Sequence, residues 1–92
     1  MEFDAEVWRA QHGTDALEQE NPRGAMVGAL EREHLDPGTG RDELLELLGP
    51  PEFQEGASDY YELGRTPYGV SYERLVLEYA GDELVRAFVT RT

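Results

Sequence analysis

Ninety-two residues allow one domain with a single two-layer core and leave no material for a second. Twenty acidic against eight basic side chains give a formal net charge of -12, which repels phosphate backbones and argues against nucleic acid and anionic membranes as partners. Without cysteine there is no disulfide, thiolate metal site or cysteine nucleophile, and no apolar run approaches the roughly 20 residues of a membrane span, so membrane insertion is not expected.

Residues 1–20 read as an N-terminal arm and 21–92 as one small domain. "MEFDAEVWRA" lacks the basic start and apolar centre of a secretory signal. The chain as written is therefore expected in the cytoplasm, or in the cell envelope where an export segment with a lipid-bearing cysteine has been removed. Asp4 suits the N-cap of a short helix whose Phe3, Val7 and Trp8 form an apolar side before Gly13. In "NPRGAMVGALEREHL", Asn21 suits an N-cap and Pro22 the first helical position, while Met26, Val27, Leu30 and His34 share a side. Gly24 and Gly28 weaken this helix and imply a closely packed neighbour. The helix ends near Leu35, because Asp36 precedes Pro37 and leaves the helical region.

"GTGRDELLELLGPP" predicts a second helix with Thr39 as N-cap and Asp42 in the place of the usual Glu of a capping box. Leu44, Leu45, Leu47 and Leu48 make its apolar stripe, and Gly49, Pro50 and Pro51 end it. From Ser58 the period changes to two, and "SDYYELG", "ERLVLEYA" and "ELVRAFVTR" read as strands. The loop "RTPYGVSY" between the first two has room for an irregular excursion or a short extra strand.

The last two strands form a hairpin over "AGDE". A two-residue turn at Gly81 and Asp82 sets Leu77 opposite Arg86 and mixes the faces. A three-residue turn over Gly81, Asp82 and Glu83 pairs Tyr79 with Val85, Leu77 with Ala87, Leu75 with Val89, Glu78 with Arg86 and Val76 with Phe88, and is preferred because every pair is compatible. The core face then carries Tyr61, Leu63, Leu75, Leu77, Tyr79, Val85, Ala87 and Val89. The opposite face shows Tyr60, Glu62, Arg74, Val76, Glu78, Arg86 and Phe88. The expected fold is α+β, an α-α-β-β-β order with two helices layered on one side of an antiparallel sheet.

Little in the sequence serves catalysis. "GVSYE" departs from a nucleophile elbow at Glu73, neither Ser58 nor Ser71 has a histidine nearby in sequence, and His12 and His34 are not at metal-ligand spacing. "GTGRDE" has Glu43 where a dinucleotide fingerprint needs its third glycine, and "DPGTGRDE" reaches Leu47 where a calcium loop needs glutamate. No catalytic residue, metal site or cofactor is therefore expected, and the chain reads as a non-enzyme. A second reading keeps the acidic residues and His34 near the helix turn as a small-ligand or cation site. The aromatic residues Tyr60 and Phe88 on the open sheet face point instead to a protein contact surface formed with Glu62, Arg74, Val76, Glu78 and Arg86.

"HLDPGTGRDELLELLGPPEFQEGASDYYELG", extended upstream through "NPRGAMVGALEREHL" and downstream through "ERLVLEYAGDELVRAFV", resembles the SmpA/OmlA/BamE-like small-domain family over about residues 21–90. The features that carry the likeness are a turn with "PG", a short helix ending in "LLG" and proline, a variable loop and an aromatic strand. The chain has "GTG" at the helix entry where the family commonly has "GMT" or "GMS". The resemblance implies the same α+β unit, found in tandem in β-lactamase inhibitory protein, and binding of a protein partner without catalysis. Many members of the family are bacterial envelope lipoproteins.

Overall fold

The computed structural model describes residues 3–12, 23–65 and 71–91. Asn21 and Pro22, expected at a helix start, lie outside these residues, as do 66–70 of the expected loop. Helix α1 (Ala5–Ala10) begins at Asp4, whose carboxylate accepts from the Glu6 and Val7 amides at 3.0 and 3.2 Å. A 3-10 turn, Gly24–Met26, leads into α2 (Val27–His34), which buries Met26, Val27 and Leu30 on one side and stops at Leu35. The expected close packing at Gly28 is not found. This glycine is exposed, and a Cβ there would meet only the Arg32 side chain, at 3.6 Å.

Helix α3 (Arg41–Leu48) buries Leu44 and Leu48 and half-buries Leu45 and Leu47. Its cap corrects the capping-box expectation: Gly40 is the N-cap and no side chain caps it. The Thr39 hydroxyl turns back to donate to the Asp36 carbonyl at 2.7 Å. The reason is tertiary. The backbone from Gly38 to Arg41 is bonded to the following hairpin, with Gly38 N to Leu84 O at 2.7 Å, Leu84 N to Thr39 O at 2.8 Å and Arg41 N to Asp82 O at 2.7 Å. A first-turn amide is thus satisfied by a distant carbonyl and needs no local hydroxyl. At the other end Gly49 takes a φ of 78°, a conformation that favours glycine, and Arg9 of α1 donates to the Leu47 carbonyl at 3.0 Å.

Four antiparallel strands follow in the order β1 (Phe53–Glu55), β2 (Ser58–Arg65), β3 (Tyr72–Ala80) and β4 (Glu83–Arg91). β1 is an addition to the three expected strands. Both hairpin readings prove half right, because Ala80 pairs with Glu83 across a two-residue turn and an extra residue in β4 restores the preferred register from Glu78–Arg86 onward. Tyr79 faces Leu84 and not Val85, so Leu84 is buried while Val85 is 52% exposed. Val89, placed on the core face by the sequence, is 40% exposed at the sheet edge.

One core joins Trp8, Met26, Val27, Leu30, Leu44 and Leu48 from the helices to Tyr61, Leu63, Leu75, Leu77, Tyr79 and Leu84 from the sheet. The β2 and β3 members are two residues apart, which places them on a single sheet face. The architecture is the expected α+β fold. Burial raises the pKa of both Tyr61 and Tyr79 above the ordinary 10.0, and the Asp59 carboxylate adds to it. The Tyr61 hydroxyl donates to the Gly49 carbonyl at 2.7 Å, whereas that of Tyr79 has no hydrogen-bond partner among the described residues.

Gly28→Ala is expected to stabilise the protein by about 0.5–1 kcal/mol in urea unfolding, since the added methyl meets only a flexible side chain and lowers the entropy of the unfolded chain. The two tyrosines are expected to part ways. Tyr61→Phe lowers stability by about 1–2 kcal/mol by stranding a carbonyl, while Tyr79→Phe is neutral or stabilising at pH 7. Because the unfolded chain releases these phenolic protons at 10.0 and the folded chain holds them, stability is intact below pH 10 and falls as pH rises further. Tyr79→Phe should therefore move the alkaline unfolding midpoint upward in a pH titration followed by circular dichroism.

Candidate protein interface

Buried helix side chains form one core with the residues of one sheet face, and the register decides what the other displays. Residues paired across antiparallel strands share a face. Tyr60 pairs with Val76 and Val76 with Phe88, so these three form a row perpendicular to the strands. Glu62 pairs with Arg74, and Glu78 with Arg86, in the rows to either side. All seven residues expected on the open face are therefore brought together there.

Sequence reasoning missed Phe53. It pairs with Tyr60, the rings lie 5.4 Å apart, and its side chain is 50% exposed, so the apolar row crosses all four strands. β1 is only three residues long, too short for alternation to announce it. An aromatic two residues after the helix-ending prolines was the available signal. Val76, by contrast, is only 2% exposed, in the row between Tyr60 and Phe88.

Each charged residue in the flanking rows is answered within the sheet. Arg74 Nε donates to Glu62 Oε1 at 2.7 Å, and Arg86 Nε to Glu78 Oε1 at 2.7 Å. The Arg86 guanidinium also stands 4.5 Å from the Phe88 ring centroid. An apolar row rimmed by paired charges has the anatomy of a contact surface: an apolar centre to be desolvated and a polar rim that stays wet. None of these groups is a nucleophile poised against a base.

The second expected feature, near the helix turn, is also present as a shape. A cleft of about 490 Å³ is lined by Arg9, His34, Asp36, Thr39, Glu43 and Leu47, among others. The His34 ring packs edge-on against Phe3 at 5.5 Å. His12 lies elsewhere, bonded to Glu52. Among the described residues no group of three or more His, Asp or Glu side chains is placed to hold a metal ion. No described helix is long and apolar enough to cross a membrane.

The rim pairs are exposed enough for solvent to screen them. A Glu78→Ala, Arg86→Ala double-mutant cycle measured by urea unfolding should give a coupling of about 0.2–1 kcal/mol that shrinks with added salt. A coupling well above that range would make the pair a structural element of the fold and not a rim. No protein-family model, no curated protein and no solved structure matches this chain.

Proposed function

We propose that this chain is a non-enzymatic interaction module that receives a protein partner on the open sheet face. The observation that carries the reading is the row Phe53, Tyr60, Val76 and Phe88, which runs across every strand between two rows of paired charges. The net charge of -12 selects the partner's chemistry: a surface that presents an apolar anchor within a basic surround is drawn in by long-range attraction and then packs on the row. The resemblance of residues 21–90 to the SmpA/OmlA/BamE-like unit supports the same reading, since binding without catalysis is what that likeness implies.

A small-ligand or cation site in the cleft beside His34 is the alternative, favoured by the cleft's volume and its Asp36 and Glu43 side chains. The two readings part in one experiment. Pull-down from a source lysate is run with the wild type, with an Arg86→Glu, Phe88→Ala double variant, and with His34→Ala. A partner retained by wild type and His34→Ala but released by the double variant supports the sheet face. Identical partner profiles for all three chains, with the double variant shown by circular dichroism to be folded, would exclude that face.

A further inference from the structure

The long edge of the sheet carries an inference separate from the open face. β4 is a terminal strand, and its first residues are already covered, because Leu84 gives its N–H to Thr39 and accepts from Gly38. Among the described residues nothing pairs with β4 beyond that point. The direction of its free groups follows from alternation. The Tyr79 N–H bonds to Ala57 on the β2 side, so Leu77 and Leu75 also turn toward β2, and their β4 partners Ala87 and Val89 turn their own backbone groups outward. A long unpaired edge of this kind is a template for another strand. At the opposite end of the sheet β1 is only three residues long and offers no comparable edge.

Charge and symmetry select the occupant. In a chain with 20 acidic and eight basic residues, β4 has Glu83 against Arg86 and Arg91, so the strand itself adds no acidic repulsion between two copies. We propose that a second copy of this chain pairs its β4 antiparallel to this one, with Phe88 on the twofold axis. In that register Ala87 exchanges both backbone bonds with Val89 of the second copy, and symmetry repeats the exchange. Arg86 falls beside Thr90 of the second copy, and the two Phe88 rings join the apolar rows of both open faces into one.

The same register places Arg91 of the second copy opposite Val85. There a groove of about 270 Å³ runs beside the strand, lined by Glu31, Leu35, Pro37, Leu84 and Val85, with Arg86 and Ala87 beside them. Its apolar walls suit an arginine stem and Glu31 suits the guanidinium. The bond from Arg91 to Glu73 within its own chain is exposed, with the arginine side chain at 69%, and is readily exchanged. The extra residue at Val85 sits at the limit of the pairing and does not interrupt it.

Sedimentation velocity from low micromolar to millimolar concentration tests the proposal. The expected result is a concentration-dependent shift from the 10.4 kDa monomer to a dimer, strengthened by moderate salt as the mutual repulsion is screened. Ala87→Pro removes an outward N–H while Arg86 and Phe88 keep the ladder to β3, and Arg91→Glu sets like charges together at Glu31. Each should raise the dissociation constant about tenfold or more. Since Phe88 meets itself at a pair with Cα atoms about 4.5 Å apart, Phe88→Cys should close an intermolecular disulfide under mild oxidation, and Ala87→Cys should not. A single monomeric species throughout overturns the proposal. So does a dimer unaffected by both Ala87→Pro and Arg91→Glu in chains shown to be folded, or a dimer that cross-links through Ala87→Cys and not through Phe88→Cys.

Discussion

A guanidinium with no exposure to water organises the covered side of this protein. Arg23 is 0% exposed, and an unpaired charge there would be strongly destabilising. Three separated parts of the chain converge to answer it: the Trp8 carbonyl at 3.0 Å, the Glu52 carboxylate at 2.7 Å and the Glu62 carbonyl at 2.9 Å. The Trp8 ring adds a face 4.9 Å from the guanidinium carbon. The N-terminal helix, the entry to β1 and the middle of β2 are thereby held in one arrangement. Glu52 also accepts from the Glu62 amide at 2.8 Å, which ties the turn after α3 to the strand it must meet.

A second buried charge does the same at the other end of the layer. Asp59 is 0% exposed and accepts two bonds from Arg41, at 2.6 and 3.2 Å, and one from Gln54 at 3.0 Å. Those bonds raise the Arg41 pKa above its ordinary value and fix the first turn of α3 over β2. The charged groups inside this domain are therefore engaged as braces between elements. The surfaces that these braces leave uncovered are the open sheet face and the edge of β4 beyond Leu84.

What could be read from the sequence follows the reach of local signals. The alternation in β2, β3 and β4 and the leucines of α3 each repeat over two turns or more, so those elements were visible with nearly correct bounds. The cap at Gly40, the residue inserted at Val85 and the strand at Phe53 depend on contacts from elsewhere in the chain, and no local pattern reports them. The open face was legible because beyond Glu78–Arg86 the pairing returns to the register in which all side-chain pairs agree. The Arg23 brace was not legible, since a lone arginine in sequence gives no sign that three distant acceptors will meet it.

Size then turns these local facts into a division of labour. The three described α-helices, of six, eight and eight residues, join their buried side chains to those of one sheet face. Among the described residues the second face and the long edge of β4 stay at the surface, and nothing pairs with that edge beyond Leu84. Their composition shows how that exposure is tolerated. Val76 is buried, the rim arginines are paired across the sheet, and the first residues of β4 are bonded to the turn before α3. What stays open is an aromatic row with half-exposed Phe53 at one end and, along β4, the outward groups of Ala87 and Val89 beside a groove. These are features that water does not stabilise and a second protein surface can, which is the physical ground for proposing that a partner is received there.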